Sequence, residues 1–198
     1  MADIYYTIEK EGTGKFNEKK SRFLSFAYHV TTSEDARSRL KALQNEYHDA
    51  RHVCWAYVIG ADRTESQAND NGEPSGTAGK PILGQINSLG LTDVAVGVVR
   101  YFGGIKLGTP GLIAAYKEAA ALALDDSGRR ECIKQKRYGF TFPYIAMNDV
   151  MKVVKSTGAY IVNQEFDNSC SMTLSVRMDD ADTLYSRLSG VSGLTFKE

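Results

Sequence analysis

The chain of 198 residues carries 24 lysines and arginines against 24 aspartates and glutamates, and 42% of its residues are hydrophobic. This composition is that of a soluble globular protein of one or two domains, and the balanced charge excludes nucleic-acid binding by a bulk basic excess, so any anion site must be local. The three cysteines, Cys54, Cys132 and Cys170, lie far apart in sequence, which favours reduced thiols over a disulfide framework or a zinc site.

The N-terminal residues MADIYYTIEKEG lack the basic and apolar blocks of a signal peptide. The sequence also contains no apolar run that is long enough to cross a bilayer. We therefore expect a cytoplasmic protein that has no membrane partner.

The first 124 residues alternate between strand and helix patterns. Strands are predicted at residues 4–8, 22–30, 52–60 and 94–102, and the last is apolar nearly throughout, as is typical of a central strand covered on both faces. A helix capped by Thr32 or Ser33 follows the second strand, with Ala36, Leu40 and Leu43 at helical spacing. Two further helices are predicted at residues 78–89 and 110–124.

The remaining residues have their own order of elements. The sequence DDSG at residues 125–128 predicts an exposed connection over residues 125–130. Beyond it, strands at residues 132–143, 160–166, 170–178 and 194–197 and helices at 146–157 and 180–188 alternate as β-α-β-β-α-β, with a turn at Asp167-Asn168-Ser169. That order is the ferredoxin-like sandwich. We therefore predict an α+β protein with two domains, residues 1–128 and 129–198.

An aromatic stripe in the second domain offers two interpretations. Tyr138, Phe140, Phe142 and Tyr144 recur with the period of two that places side chains on one face of a strand, as on the RNA-stacking strand of an RRM. Here the strand comes first rather than third in its domain, and the two helices of the domain need a sheet face to cover. We therefore predict that the stripe is hydrophobic core.

The stretch DNGEPSGTAGKPILG, residues 70–84, resembles a nucleotide-binding loop because it is rich in glycine and ends in a lysine before an apolar helix. The Walker A loop, G-x-x-x-x-G-K-[ST], requires glycine where Pro74 stands and a hydroxyl residue where Pro81 stands. A P-loop is therefore excluded.

The same stretch still predicts an anion site. Thr77 is placed to cap the following helix, so that the unpaired N–H groups of Ala78, Gly79 and Lys80 would point outward beside the lysine charge. Glycines and caps of this kind also occur at strand-to-helix turns that bind nothing.

A second loop, VVRYFGGIKLGTPGLIAAY, repeats the design. Its strand ends near Arg100, Gly103 and Gly104 allow the backbone to bend, and Lys106 and the predicted cap Thr109 precede the next helix. If the two loops are neighbours, they form one cleft of the size of a phosphate group. We expect the helices that begin near Thr77 and Thr109 to face that common cleft.

Acidic and histidine residues near these loops are ambiguous. Asp70 either takes part in chemistry or bonds its own backbone in the turn, and Glu73 either acts in the cleft or pairs with a cation. His48 and His52 have the spacing of a helical metal pair, but they lie where a helix gives way to a strand, so we predict no metal site. Cys54, inside a predicted strand, is expected to be a small core residue.

Five motifs occur in order along the first block: KKSRF, DARHVCWAY, DNGEPSGTAGKPIL, VVRYFGGIKLGTPGL and AAY. Together they resemble the IMPACT/YigZ family, and the second block is similar to the small C-terminal domain of many bacterial members. The resemblance implies a left-handed β-α-β fold for the first block, shared with the second domain of a small-subunit ribosomal protein, domain IV of elongation factor G and small-molecule kinases.

The resemblance also implies a set of cleft residues, and eukaryotic members of the family regulate translation. The motif positions that it assigns to the cleft are His52, Asp70, Glu73, Ser75, Thr77, Lys80, Arg100 and Lys106. The loop residues Gly79, Gly103, Gly104 and Thr109 complete the predicted ligand-binding set.

Two functions are compatible with this cleft. The first is a non-enzymatic binding protein that acts near translation, with RNA or a ribosome-associated factor as partner and no cofactor. The second is a small-molecule enzyme, in which the cleft binds a phosphorylated metabolite or nucleotide and Asp70, Glu73 or His52 moves a proton. The failed P-loop match and the lack of a clear set of nucleophile, base and orienting residue favour the first.

Overall fold

The computed structural model describes residues 4–166 and 169–197. One compact unit comprises Tyr5–Cys132, and the second comprises the residues from Ile133 onward together with Ile4. The elements are β1 Ile4–Thr7, β2 Gly12–Glu18, β3 Ser21–His29, α1 Ser33–Glu46, β4 His52–Ile59, β5 Glu65–Asn69, α2 Gly79–Ser88, β6 Val94–Tyr101, α3 Gly108–Ser127, β7 Arg130–Ile133, β8 Gln135–Phe142, α4 Met147–Thr157, β9 Tyr160–Phe166, β10 Cys170–Arg177, α5 Ala181–Ser189 and β11 Thr195–Phe196.

The first unit is built on a five-stranded sheet with the order β2-β3-β6-β4-β5, in which all neighbours run antiparallel. The predicted central strand is confirmed, because β6 lies in the middle and every residue from Val94 to Arg100 is buried. The side chains of β6 alternate between the two faces of the sheet. Val96 and Val98 pack toward α2 and α3, whereas Ala95 and Val99 pack toward α1.

Two strands, β2 and β5, were absent from the sequence prediction. The sequence of β2, GTGKFNE, lacks the apolar alternation of a half-buried strand. Its glycines are required by packing, since a Cβ on Gly14 would lie 2.7 Å from the Cβ of Leu122 and 2.9 Å from the backbone nitrogen of Ala123. β2 is therefore stabilised by the close approach of α3, which the local sequence does not show.

The predicted start of α1 is confirmed. Thr32 is the N-cap, and its side-chain oxygen accepts a hydrogen bond of 3.1 Å from the backbone N–H of Asp35. The buried positions of the helix are Ala36, Leu40 and Leu43, as the periodicity predicts.

The predicted connection over residues 125–130 is exposed at Asp125, Asp126, Arg129 and Arg130, but it is not an irregular linker. α3 continues to Ser127, which is fully buried, and the carbonyl of Ser127 accepts hydrogen bonds from the backbone N–H groups of Glu9 and Lys10. The chain then enters β7, which pairs with β1. The polar sequence DDSG here ends a helix, with Ser127 buried, instead of forming a linker.

A shortened chain tests this correction. A fragment that ends at Ser127 loses β7 and also Arg129, whose guanidinium lies 3.6 Å from the ring centroid of Tyr6. We expect it to be less stable than a fragment that ends at Lys134 by about 1–2 kcal/mol, the sum of one cation–π contact and a few cross-strand pairs. Urea unfolding of both fragments measures the difference, and equal midpoints would contradict the role given to β7.

The second unit confirms the ferredoxin-like order. Its four-stranded antiparallel sheet has the order β11-β8-β10-β9, and α4 and α5 complete the β-α-β-β-α-β unit. The predicted first strand, residues 132–143, is two strands, of which only β8 joins this sheet. Short 3₁₀ turns, Tyr144–Ala146 and Met178–Asp180, precede the two helices. Within the predicted turn, Asp167 and Asn168 lie outside the described residues.

The aromatic stripe is largely core, as predicted. Phe140 and Phe142 are buried and Tyr138 packs against them, but Tyr144 follows the end of β8 and is 77% exposed. Among the described helices, none combines the length and the hydropathy that a membrane span requires.

Candidate anion-binding cleft

Asp70 occupies the N-terminus of α2. Its carboxylate accepts hydrogen bonds from the backbone N–H groups of Gly76 at 2.8 Å, Ala78 at 3.0 Å and Gly79 at 2.8 Å. These N–H groups belong to the loop and to the first turn of the helix, where no intrahelical acceptor is available. The protein's own carboxylate is therefore the anion bound at this helix end.

This contact corrects the prediction for the first loop. Thr77 is not the cap, since α2 begins after Ala78 and the Thr77 hydroxyl instead donates to the carbonyl of Pro74 at 2.6 Å. The N–H groups of Ala78 and Gly79 do not point outward but face Asp70. Of the two roles that the sequence leaves open for Asp70, the structure shows the bonding to nearby backbone groups.

The pKa of Asp70 reflects the same geometry. Burial acts to raise the pKa, but the hydrogen bonds from Gly76, Gly79 and Ala78, together with the charge of Lys80, outweigh burial and lower the pKa below its usual value. Asp70 thus remains an anion at neutral pH and is poorly suited to exchange a proton with a ligand.

An open cleft of about 480 Å³ lies beside this loop, at the start of α3. Five predicted site residues line it: His52, Glu73, Arg100, Lys106 and Thr109. The two glycine-rich loops do meet there, since Pro74 comes from the first and Leu107 from the second. The predicted residues outside the lining of this cleft are Asp70, Ser75, Thr77, Gly79, Lys80, Gly103 and Gly104.

The register of the sheet explains why the floor of the cleft is polar. Arg100 is paired with Phe23 on β3 and with His52 on β4, so the three side chains share one face at one end of the sheet. That face is the one covered by α2 and α3. At this end the apolar pattern of β6 gives way to Arg100, and the cleft opens above it.

Glu73 and Arg100 form a buried ion pair. Arg100 Nη1 lies 2.6 Å from Glu73 Oε1, and the same carboxylate oxygen accepts a hydrogen bond of 2.8 Å from the hydroxyl of Tyr116 on α3. Arg100 is only 5% exposed, and its Nε has no hydrogen-bond partner among the described residues. A guanidinium has five N–H donors, so Arg100 can donate to an anionic ligand while it is paired with Glu73.

His52 is oriented by the first loop. Its Nδ1 lies 2.9 Å from the carbonyl oxygen of Asn71, which can only accept, so Nδ1 carries the proton in the neutral ring. Nε2 then presents a lone pair and lies 4.0 Å from Glu73 Oε2. The loop therefore sets the tautomer of a histidine on the wall of the cleft.

Cys54 is fully buried beneath this network, as predicted for a core residue. Its Sγ lies 2.9 Å from the carbonyl oxygen of Asp70 and 3.3 Å from the hydroxyl of Tyr116. Burial raises the pKa of the Cys54 thiol to about 12, so it is not a nucleophile at neutral pH. Burial, followed by Cys54 and Glu73, also raises the pKa of Tyr116, so its hydroxyl keeps its proton and donates a hydrogen bond to Glu73.

The start of α3 differs from that of α2. Thr109 is not its cap, because the helix begins at Gly108 after Leu107, and no side chain of the described residues caps it. Pro110 is the third helical residue rather than the first and has no N–H group. The N–H groups of Gly108 and Thr109, which line the cleft, therefore have no intrahelical acceptor.

The charge around the cleft is mostly positive. Arg51, Arg100 and Lys106 are its cations and Glu73 is its carboxylate. Phe102, which is 45% exposed, lies at the same wall, and the guanidinium of Arg100 is 5.7 Å from its ring centroid. In residues 4–166 and 169–197, no group of three or more His, Cys, Asp or Glu side chains is placed to hold a metal ion.

Comparisons with known proteins agree with these motifs. The Impact N-terminal domain matches residues 19–124. An IMPACT family member of Haemophilus influenzae is 33% identical over 172 residues, which cover 86% of this chain and 84% of the relative. IMPACT family member YigZ of Escherichia coli is 35% identical over 150 residues, which cover 75% and 74% of the two chains. The chain belongs to the IMPACT family.

Two further proteins match this chain over different shares of its length. IMPACT family member YvyE of Bacillus subtilis is 40% identical over 128 residues, and the match spans 65% of this chain but 59% of that relative. A crystal structure of a hypothetical protein aligns with a TM-score of 0.76 at 28% identity, covering 99% of this chain and 97% of the other. Every residue that lines the cleft falls within the part matched by the Impact N-terminal domain.

Sequence reasoning missed Arg51 and Phe102, which line this IMPACT-family cleft, and Tyr116, which bonds to the cleft residue Glu73. Arg51 stands in the motif DARHVCWAY directly before His52, so its basic charge was a usable signal. Phe102 ends a predicted strand, where it continues the apolar run. Tyr116 lies within an apolar, alanine-rich helix, and only its contact with Glu73 across the fold shows that its hydroxyl matters.

Proposed function

We propose that this IMPACT-family protein is a non-enzymatic binding protein of the cytoplasm that acts near translation, and that its cleft contacts phosphates of RNA. The observation that carries the proposal is the grouping of Arg51, Arg100 and Lys106 at the uncapped start of α3. Unpaired helix N–H groups together with cations form the chemistry that phosphate requires. Membership of the family supports the placement near translation, since its eukaryotic members regulate translation.

These three cations differ in how far other residues neutralise their charges. Glu73 offsets much of the charge of Arg100, because their ion pair is short and buried. Arg51 and Lys106 are both on the wall of the cleft, and no ion pair holds either of them among the described residues. We therefore assign the main phosphate contacts to Arg51 and Lys106, with Arg100 at the floor.

The exposed ring of Phe102 favours a nucleotide over a bare phosphate. A base can stack on an aromatic face beside a phosphate site, and such stacking tolerates every base. The expected recognition is therefore weakly dependent on sequence, since phosphate contacts position a ligand without reading its bases.

Charge removal tests the site. When the binding constant for labelled single-stranded RNA is measured at several salt concentrations, we expect its logarithm to fall with the logarithm of the salt concentration along a shallow slope. So few cations make only two to four phosphate contacts, and each contact contributes about −0.7 to that slope. Lys106→Ala should weaken every RNA sequence alike and reduce the magnitude of the slope by about 0.7. Melting temperature should change little, since surface substitutions are usually within about 0.5 kcal/mol.

Lys80→Ala is the matched control. Lys80 is an exposed lysine in the first turn of α2 that does not line the cleft, so its loss should leave the slope nearly unchanged. If the protein does not bind RNA even at low salt, the proposal is wrong. Equal losses in the two variants would mean that general surface charge, not the cleft, binds the RNA.

A small-molecule enzyme is the second candidate, and one observation favours it. The Nε2 lone pair of His52 lies beside Glu73 on the cleft wall, which is the arrangement of a residue that can accept a proton from a bound hydroxyl. In that case nucleoside phosphates should raise the melting temperature in a saturable way, and RNA should not bind. His52→Gln should abolish turnover of the phosphorylated substrate, while the variant still binds that substrate.

A further inference from the structure

Two lysines form the tight turn between β2 and β3. Glu18 pairs with Ser21, so Lys19 and Lys20 are the whole of a two-residue hairpin loop. Their φ angles are 44° and 66°, both in the left-handed region that a two-residue turn of type I′ requires. Asparagine followed by glycine is the preferred pair at such a turn, because a Cβ is strained in this conformation.

No contact within the protein accounts for lysine at either position. Both residues are exposed, and neither ammonium group lies within ion-pair distance of a carboxylate in the part of the chain that the structure describes. The turn itself would form more readily without them. The two exposed charges are therefore open to a ligand, and strained positions concentrate at functional sites.

The lysine turn adjoins the cleft through the second glycine-rich loop. A Cβ on Gly103 would overlap the backbone of Lys20, and the N–H of Gly103 donates to the hydroxyl of Ser21 at 3.3 Å. The loop that brings Lys106 to the cleft thus rests directly on the turn. Gly103, which does not line the cleft, has this supporting role.

A second groove extends the cleft toward the turn. It has a volume of about 390 Å³ and is lined by Lys19 and, among others, by Phe16 and Leu107. Leu107 also lines the first cleft, so the two grooves meet at this side chain. Glu18 and Glu118 line the second groove as well, and because their charges repel phosphate, only the lysine edge of this groove suits an anion.

We propose that a single-stranded RNA bound in the cleft continues past Leu107 and places its next phosphates on Lys19 and Lys20. This inference rests on the proposed function and adds the class of ligand, a strand longer than one nucleotide. The two grooves share Leu107, and two adjacent exposed ammonium groups suit successive backbone phosphates. The apolar side chains of Phe16 and Leu107 then face the ribose and base.

A double variant tests the proposal without harming the fold. Lys19→Asn with Lys20→Gly installs the preferred type I′ pair, so its melting temperature should equal or exceed that of the wild type. Its affinity for a labelled single-stranded RNA of about twelve nucleotides should fall about tenfold, and the salt slope should lose about 1.4 in magnitude, or about 0.7 for each contact. Its affinity for adenosine monophosphate, which fills only the cleft, should be unchanged.

The control is Lys15→Asn with Lys41→Asn, which removes two charges on the α1 face of the same sheet. It should bind the RNA as the wild type does. If the turn variant keeps full RNA affinity and slope while Arg51→Ala loses both, this inference is wrong and the proposed function stands. If the wild type binds adenosine monophosphate but not RNA, the proposed function and this inference both fail, and the small-molecule candidate stands. Binding of neither probe overturns the proposed function and the inference together.

Discussion

Replacing Asp70 by asparagine is expected to lower the free energy of unfolding by about 2 kcal/mol. The carboxylate accepts three backbone hydrogen bonds, two on Oδ1 and one on Oδ2. An amide oxygen can keep the pair from Ala78 and Gly79, but its NH₂ group then faces the N–H of Gly76, donor against donor. The loss combines one charge-assisted bond with the favourable interaction between a negative charge and the helix N-terminus.

This effect depends on pH, and the direction follows from the lowered pKa of Asp70. A carboxyl group whose pKa is lower in the folded state stabilises the fold fully above its unfolded pKa of about 3.9, and the contribution is lost as pH falls through the folded pKa. Asparagine does not titrate. Urea unfolding should therefore show wild type and Asp70→Asn well separated at neutral pH and converging in acid.

Thr77→Val is the matched control for the same loop. The hydroxyl of Thr77 donates to the Pro74 carbonyl, which also accepts from the Thr77 N–H and so keeps a partner in the variant. Its expected cost is about 1 kcal/mol or less. A larger cost for Thr77→Val than for Asp70→Asn would restore Thr77 as the residue that holds the helix start.

Replacing Glu73 by glutamine should cost about 3 kcal/mol, the largest effect expected of these single substitutions. The change leaves the Arg100 guanidinium buried without its counter-charge, and breaking one side of a buried ion pair is strongly destabilising. The amide oxygen still accepts from Tyr116, so the loss is that of charge rather than of packing. Urea unfolding measures it, with the exposed Glu118→Gln as a control that should change little.

The same variant should bind phosphate more tightly. Without Glu73, an anion in the cleft becomes the only counter-charge for Arg100 among the described residues, so inorganic phosphate should raise the melting temperature of Glu73→Gln more than that of the wild type. Lys106→Ala added to Glu73→Gln should reduce that gain. If phosphate stabilises neither protein, water in the cleft solvates Arg100 and the site is not one for anions.

The candidate site was only partly predictable, for a reason that Asp70 and Glu73 illustrate. Both carboxylates stand in one short motif, and the sequence left the role of each open. The structure assigns Asp70 to its own backbone and Glu73 to Arg100 and Tyr116, which are 27 and 43 residues away in sequence. No local pattern encodes a partner at such a distance. The two glycine-rich loops have similar sequences with a predicted cap each. The start of α2 nevertheless binds the carboxylate of Asp70, whereas the start of α3 has no side-chain cap.

The local sequence by itself determined the α+β class, the ferredoxin-like order of the second unit, the capped helix α1 and the buried centre β6. Those features follow from hydrophobic periodicity and from caps within three residues, which act whatever the rest of the chain does. Only the tertiary structure decided that Gly12–Glu18 is a strand, that residues 125–130 end a helix and enter β7, and which N–H groups remain open to a ligand. Each of these depends on groups brought together from distant parts of the chain, because a backbone N–H or a buried charge takes the partner that folding places beside it.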